Sequence, residues 1–306
     1  MSTIYTLKLK HPTLFIWVSD HVYTLIAIGI FICLLYDPNR TEDGAYLLLA
    51  ATFWGLDKDR QRTSWKRFLP LGIPLLLFPI LLWRYFPPLW NQVVYWQLGL
   101  KPHLFDWNAL FQSIPGNDGS LFRVIKTPWL TAYFQWIYAN GFTLPVLIPV
   151  LRSFFAKDWI KMLHYELSAH VLQFLLIFPF YLTIKVNEVW WVLGIPDGMN
   201  RNLSASDAAV VVMNCFPSMH TSVAFAMLLL AWREKDRLFR IIWTVFGFSV
   251  IYSTMYLGIH WVIDVLGGLL LGYVGVKLGD WVVHRVEARI DYFPQQQKQA
   301  TSDSRQ

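Results

Sequence analysis

Two ionisable residues with helical spacing stand at the edge of an apolar run. His260 and Asp264 are four residues apart, which places both on one face of a helix. An aspartate that accepts a hydrogen bond from one imidazole nitrogen fixes the tautomer and leaves the other nitrogen free as a nucleophile. The same spacing is typical of a capping or snorkelling pair at a helix end, so the pair needs partners to indicate catalysis.

A second segment, Phe216–Ser222, combines a helix start with another histidine. Ser218 is placed to cap a helix that begins near Met219, and the first N–H groups of such a helix would face an anion. His220 lies one turn into that helix, where it could give or take a proton. An ordinary Pro-Ser helix start with a solvated histidine is the alternative interpretation of this segment alone.

The composition indicates that both segments belong to membrane elements. Of the 306 residues, 55% are hydrophobic and 15% are charged, and the mean hydropathy is +0.39. Soluble proteins have about a quarter charged residues, so two soluble domains are excluded, as are disordered and disulfide-rich classes. The net charge of +6 does not indicate nucleic acid, because Lys and Arg fall in short clusters between apolar runs. The composition predicts an all-α, polytopic transmembrane helix bundle.

Apolar runs long enough to cross a membrane define the expected elements. An N-terminal pair of membrane or interfacial helices, Thr13–Tyr36 and the shorter Ala45–Leu56, is expected within residues 1–67. A six-helix core is expected within residues 68–279. The six core spans are Phe68–Tyr85, Trp129–Ala156, Met162–Ile184, Ala208–Trp232, Leu238–Leu257 and His260–Gly279.

The remaining segments are predicted from their polarity and glycine content. Residues 86–128 form a long connection with apolar stretches, which we interpret as one or two interfacial helices over the outer face. Residues 280–306 form a cytoplasmic polar tail, expected to be disordered from Pro294 on. Gly268 and Gly272 in the last span are four apart, a spacing that lets helix backbones approach closely.

The distribution of Lys and Arg predicts the orientation. Threading the spans in order puts three basic clusters and the C-terminal tail on one face. If the N-terminal pair spans the membrane, Lys8 and Lys10 join them, and this face then holds 19 of the 26 basic residues. By the positive-inside rule this face is cytoplasmic, with both termini. Both histidine segments then meet on the extracytoplasmic face, where a nucleophile, a proton carrier and an anion-binding helix start indicate phosphoryl transfer. The three clusters are Lys58–Arg67, Arg152–Lys161 and Arg233–Arg240.

Together the two segments resemble the signature of the type 2 phosphatidic acid phosphatase superfamily, which also includes the vanadium haloperoxidases. The resemblance covers about residues 68–279, although its specific motifs lie only between Pro217 and Asp264. The matching residues are Pro217, Ser218 and His220 for P-S-G-H, and Ser253, His260 and Asp264 for S-R-x5-H-x3-D.

Several positions depart from that signature. Met219 replaces the motif glycine, Thr254 replaces the arginine, and the motif K-x6-R-P is not present. Because threonine cannot make the bidentate phosphate contact of arginine, another cation should compensate. Lys185, which ends a span, and Arg201 are the nearest cations on the outer face, although Lys185 could equally be an interfacial anchor. The next outer-face cations are Arg123 and Lys126.

The same departures from the signature resemble one particular branch of the superfamily. A bulky residue in Phe216–His220 and the sequence T-M-Y-L at Thr254–Leu257 are similar to fungal inositol phosphorylceramide synthase. Enzymes of that branch transfer a phospho-head group from one lipid to another. The resemblance therefore implies transfer to an alcohol acceptor, with hydrolysis of a lipid phosphate or polyprenyl diphosphate as the alternative and a non-catalytic transporter or scaffold as a third possibility.

The resemblance also implies a mechanism. A lipid phosphate enters from the outer leaflet, and His260 attacks its phosphorus. Asp264 stabilises the imidazolium that forms, and His220 protonates the leaving oxygen. A phosphohistidine forms, and no metal or other cofactor is implied. The expected partners are the lipid substrate and the bilayer, with no nucleic acid, while the lipid's identity and the oligomeric state stay open. The expected phosphate-binding positions are Ser218, Met219, Ser253, Thr254, Lys185 and Arg201.

Overall fold

Helices make up nearly all of the regular structure. The structure is a computed structural model that describes residues 21–36, 43–61, 63–99 and 105–303, and it confirms the predicted all-α helix bundle. The elements in chain order are α1 Val22–Tyr36, α2 Asp43–Phe53, α3 Trp65–Gly99, β1 Phe105–Asp106, α4 Asn108–Ser113, α5 Pro128–Asn140, α6 Leu144–Phe155, α7 Trp159–Glu166, a π-helical turn Leu167–Val171, α8 Leu172–Thr183, β2 Ile184–Lys185, α9 Val189–Leu193, α10 Ala205–Val211, α11 Met219–Ala231, α12 Arg237–Tyr256 and α13 Val262–Asp303.

The N-terminal pair consists of two short helices. Helices α1 and α2 have 15 and 11 residues, and the first part of the predicted run Thr13–Tyr36 lies outside the described residues. Asp57 fixes the start of α1, because its carboxylate accepts from the backbone N–H groups of Tyr23 and Thr24 at 3.3 and 3.2 Å. At about 1.5 Å per residue, the described part of neither helix crosses the roughly 30 Å hydrocarbon layer.

Helix α3 is longer than the predicted span Phe68–Tyr85. It runs for 35 residues to Gly99, so the expected loop beginning at residue 86 is helical in its first part. The helix continues through Pro87 and Pro88. Proline is tolerated in membrane helices where neighbouring groups satisfy the freed carbonyls.

The predicted span Trp129–Ala156 is bent. It forms α5 and α6, which meet at an angle of 59°. Gly141 stands at the break, where an added Cβ would lie 2.8 Å from Val250 and 2.9 Å from the carbonyl of Ile137. Close packing against α12 therefore requires glycine here, and the apolar run gives no sign of the turn.

The predicted span Ala208–Trp232 is also broken. It forms the short helix α10, an irregular segment and the 13-residue helix α11. Asn214 adopts a positive φ of 64°, and Pro217 lacks the N–H that a continuous helix would need. Among the described residues, four helices are long and apolar enough to cross a membrane, or five if the bent pair α5–α6 counts as one span. Six such spans were predicted.

The last helix continues into the predicted tail. Helix α13 runs to Asp303, so the segment from Pro294 that we expected to be disordered is helical up to that residue. The polar composition of the tail excluded it from a span but did not exclude an amphiphilic or solvated extension of the helix.

Helix α11 lies at the centre of the bundle between α12 and α13. An added Cβ at Gly268 would lie 2.5 Å from the carbonyl of Ser218, and one at Gly272 would lie 2.8 Å from the carbonyl of Ser222. The four-residue glycine spacing thus brings the backbone of α13 against the start of α11, as small residues do in membrane bundles.

We predict that Gly268→Ala destabilises the protein, whereas Gly29→Ala in α1 does not. Both changes gain helix propensity, but at Gly268 the new methyl overpacks the contact with Ser218, at a cost of about 1–3 kcal/mol. Among the described residues, an added Cβ at Gly29 meets no atom within 4 Å apart from the nearby backbone of its own helix. Thermal unfolding in detergent should give a lower Tm for Gly268→Ala alone, and equal Tm values for the two variants would contradict this packing.

Candidate active site

His260 and Asp264 face each other at the junction of α12 and α13. Nδ1 of His260 lies 3.4 Å from Oδ2 of Asp264, and both side chains are buried. His260 precedes α13 instead of lying within it, which corrects the expectation of a shared helix face. The carboxylate of Asp264 points back over the helix start, where it accepts from the N–H of Trp261 at 2.8 Å. The predicted pairing is therefore made by a helix cap.

The turn that carries His260 is held by backbone hydrogen bonds. The N–H groups of Ile259 and His260 both donate to the carbonyl of Thr254, at 3.0 and 3.1 Å. Gly258 has a φ of 70°, a conformation that glycine adopts without strain. The tight turn reverses the chain at the end of α12, so the imidazole is fixed relative to both helices.

Cys215 contacts both His260 and Asp264, a position that the sequence analysis did not predict. Its Sγ lies 3.1 Å from His260 Nδ1, 3.1 Å from Asp264 Oδ2 and 3.3 Å from the carbonyl of Ile259. Burial and then the Asp264 carboxylate raise the pKa of the Cys215 thiol, so the thiol keeps its proton and donates it to Oδ2. The donor atoms of the three residues lie within 4.8 Å of one another, close enough to hold a metal ion, so the absence of a metal stays a prediction.

His220 stands opposite His260. Their ring centroids are 6.5 Å apart, and the two ring planes are inclined by 54°. The ring of Tyr138 in α5 stacks on the His220 ring with centroids 4.0 Å apart. The ring of Phe142, from the α5–α6 turn, makes a T-shaped contact with His220 at a centroid distance of 5.7 Å. These two aromatic residues were not predicted, because they reach the site only through the break in a run that looks continuous in sequence.

Ser218 begins α11 as predicted. Its hydroxyl accepts from the N–H of Thr221 at 3.3 Å, and the helix starts at Met219. The N–H of Ser218 donates to the carbonyl of Asp264 at 3.0 Å, which joins the two histidine segments directly. The side chain of Met219 packs against the apolar cluster of Ile177, Tyr181 and Leu271, so this departure from the motif adds an apolar contact next to the helix start.

Ser253 and Thr254 lie beneath the site, and their hydroxyls are hydrogen-bonded within their own helix. Both residues are fully buried, and their hydroxyls donate at 2.7 Å to the carbonyls of Val250 and Ile251 in their own helix. Thr254 contributes its backbone carbonyl to the turn that carries His260. Direct phosphate binding by these two residues stays a prediction.

The two predicted phosphate-binding cations are both paired with carboxylates. Lys185 in β2 donates to Asp106 at 3.1 Å. Arg201 donates to Asp197 at 2.8 Å and to Glu188 at 3.1 Å. Burial alone would lower the pKa of Arg201, but hydrogen bonds to Glu188 and Asp197 raise it above its ordinary value. Arg201 is close enough for its charge to act on His220.

Arg123 offers a guanidinium nitrogen with spare hydrogen-bonding capacity. Its Nη2 pairs with Asp118 at 3.1 Å, while its Nη1 is buried and has no hydrogen-bond partner among the residues that the structure describes. Nη1 lies 3.1 Å from the position of a Cβ at Gly258, two residues before His260. Burial lowers the pKa of Arg123 against the opposing effect of Asp118. The sequence analysis named Arg123 only after Lys185 and Arg201 as a cation that could bind the phosphate.

Comparison with known proteins bears on the C-terminal part of the chain. Residues 168–288, which include both histidine segments, match the model of the PAP2 superfamily. The chain is 37% identical over 67 residues to the putative undecaprenyl-diphosphatase YbjG of Escherichia coli K12, a match covering 20% of this chain and 30% of that protein. It is 31% identical over 77 residues to the uncharacterized protein MJ0662 of Methanocaldococcus jannaschii, covering 25% of this chain and 31% of that protein.

These matches are partial. The chain spans about a third of the length of the curated relatives it matches. The crystal structure of Aquifex aeolicus LpxE is 20% identical and covers 53% of this chain and 91% of that chain, with a TM-score of 0.41 that is too low to carry an argument. The family match nevertheless contains Ser218, His260 and Asp264, so the similarity to the PAP2 superfamily covers both histidine segments.

Proposed function

We propose that the protein is an integral membrane enzyme that transfers the phosphoryl group of a lipid phosphate through a phosphohistidine at His260. The observation that carries this proposal is the arrangement of the His260–Asp264 pair 6.5 Å across from His220, at the N-terminal end of α11. The location of both histidine segments within the PAP2 match supports it. We keep residues 68–279 as the proposed catalytic unit.

The proposed reaction has two displacements at phosphorus. Nε2 of His260 attacks phosphorus, the bond from phosphorus to the leaving oxygen breaks, and His220 gives that oxygen a proton. Asp264 stabilises the imidazolium through Nδ1, assisted by the hydrogen bond from Cys215. In the second displacement His220 takes a proton from the acceptor hydroxyl, whose oxygen attacks phosphorus, and the bond to His260 breaks.

The phosphate is proposed to bind at the start of α11, where backbone N–H groups and the helix dipole favour an anion. Ser218, Met219, Ser253, Thr254, Lys185 and Arg201 remain the proposed set from the sequence. Because the carboxylates already neutralise Lys185 and Arg201, we add Arg123, whose buried Nη1 has a free N–H beside Gly258.

The acceptor is proposed to be an alcohol, with water as the second candidate. The bulky Met219 and the Thr254–Leu257 sequence favour a synthase-like transfer by their resemblance to inositol phosphorylceramide synthase. The name of YbjG, a putative undecaprenyl-diphosphatase, favours hydrolysis of a lipid diphosphate instead. The uneven distribution of Lys and Arg supports an extracytoplasmic site with both termini in the cytoplasm.

The proposed nucleophile can be tested with a matched pair of histidine variants. His260→Gln should lower kcat on a lipid phosphate roughly 10³-fold or more, because the glutamine amide cannot replace the imidazole as nucleophile. His284→Gln replaces an exposed histidine of α13 and should leave kcat unchanged. Acid-labile labelling of the protein by a phosphorus-labelled substrate should disappear only in His260→Gln. Retained labelling or retained activity in folded His260→Gln would contradict the proposal.

The proposed phosphate-binding role of Arg123 can be tested against a surface arginine. Arg123→Gln should lower kcat/KM about 10- to 100-fold, because a hydrogen bond to a charged group contributes about 1.5–3 kcal/mol. Arg237→Gln, on an exposed arginine of α12, is the control and should match the wild type. Steady-state kinetics of the two variants at equal thermal stability would decide the point, and equal kcat/KM values would exclude Arg123 from phosphate binding.

The acceptor can be identified from the products of a labelled lipid phosphate. In the presence of an alcohol acceptor, a transferase should place the label on that alcohol, and omission of the acceptor should reduce turnover. Chromatography of the products with and without a panel of lipid and polyol alcohols measures this partition. Free phosphate as the sole product under every condition would replace the transferase proposal with the phosphatase.

A further inference from the structure

An apolar cavity of about 220 Å³ lies between α3, α6 and α8 and is partly open to its surroundings. Side chains of Leu82 and Phe86 from α3 form one wall, and Leu147 from α6 and Phe174 from α8 form another. The ring centroids of Phe86 and Phe174 are 4.3 Å apart, so the two walls are in contact at this point. The other side of α3 exposes large apolar side chains, as a lipid-facing helix does.

One aromatic ring separates this cavity from the candidate active site. Phe142 lines the cavity and also contacts His220, with ring centroids 5.7 Å apart. On its cavity side the same ring contacts His170 at 5.1 Å and Phe174 at 5.9 Å. Phe142 lies in the turn between α5 and α6, so the 59° bend places it between the cavity and the site.

The polar groups in the lining do not interrupt its apolar character. Nδ1 of His170 lies 3.0 Å from the carbonyl of Ala169, within its own helix turn. The remaining lining is dominated by Pro, Leu, Val and Phe side chains. A ligand in this cavity would therefore pack hydrocarbon against these apolar side chains.

We propose that this cavity binds the hydrocarbon chain of the lipid substrate next to the phosphate. The proposal rests on the proposed function, since a phosphate between His220 and His260 would place the first methylene groups of its chain against Phe142. The chain then passes from the polar site to the α3 wall and out toward the bilayer. The occupant is the substrate's own chain, because the ring that lines the cavity, Phe142, is also the ring that contacts His220.

The proposal is tested by filling the cavity. Leu147→Trp and Leu82→Trp should each lower the ratio of kcat/KM for a long-chain over a short-chain, water-soluble alkyl phosphate by about tenfold. This is the effect of losing contact with roughly two methylene groups. Leu238→Trp is the matched control, because Leu238 lines a separate cavity beside α1 and α2, and its ratio should equal that of the wild type.

The outcome that would overturn the proposal is a ratio in both folded cavity variants equal to that of Leu238→Trp. If the wild type acts on neither the long nor the short alkyl phosphate, the proposed function fails instead. The two failures are thus distinguishable. Two variants on different helices keep the test valid if one of them does not fold.

Direct labelling provides an independent readout. A lipid phosphate with a photoreactive diazirine in its chain should crosslink to residues 79–87 and 142–147 when bound to the wild type. Excess unlabelled long-chain alkyl phosphate should abolish this labelling, whereas phosphatidylcholine should not. Equal labelling by a phosphatidylcholine carrying the same diazirine, with competition between the two, would assign the cavity to ordinary bilayer lipid and overturn the proposal.

Discussion

The hydrogen bond from the N–H of Ser218 to the carbonyl of Asp264 is the contact on which the site depends. It joins the start of α11 to the first turn of α13, and the missing side chain of Gly268 allows the two backbones to meet there. The carboxylate of the same Asp264 caps its own helix at Trp261 and faces His260. One residue therefore fixes the proposed nucleophile relative to the proposed anion-binding helix start, and small changes in the packing of α11 on α13 should alter both.

The outer connections are structural parts of this site. Asn117, from the segment after α4, accepts from the N–H of Val262 through its carbonyl and from the N–H of Ile263 through its side chain. It thereby satisfies the first N–H groups of α13, which have no partner within that helix. The same segment leads to Arg123, whose guanidinium lies against Gly258. The long connection thus holds the His260 turn from outside and brings a cation to it.

Charge balance around the site follows from burial. Arg201 lies between Glu188 and Asp197, because a partly buried guanidinium without carboxylate partners would be costly. The same pairing leaves Arg201 little capacity for a phosphate. Arg123 pairs with one carboxylate, and its Nη1 has no hydrogen-bond partner within the described part of the chain. Thr254, at the position of the motif arginine, is fully buried, and its hydroxyl donates to the carbonyl of Ile251 in its own helix.

The sequence by itself determined the helical class, the helix start at Ser218, the pairing of His260 with Asp264 and the close approach at Gly268, because each depends on local spacing and residue type. The apolar runs could not show where a helix bends, since lipid exposure and burial both favour the same side chains. Only the tertiary structure decided the breaks at Gly141 and Asn214, the continuation of α3 through its prolines, and the positions of Cys215, Tyr138 and Phe142 beside the histidines. Those features arise from contacts between helices distant in sequence. The local pattern was compatible with both continuous and broken helices. Close packing at a few glycines and neutralisation of buried charges decided between them.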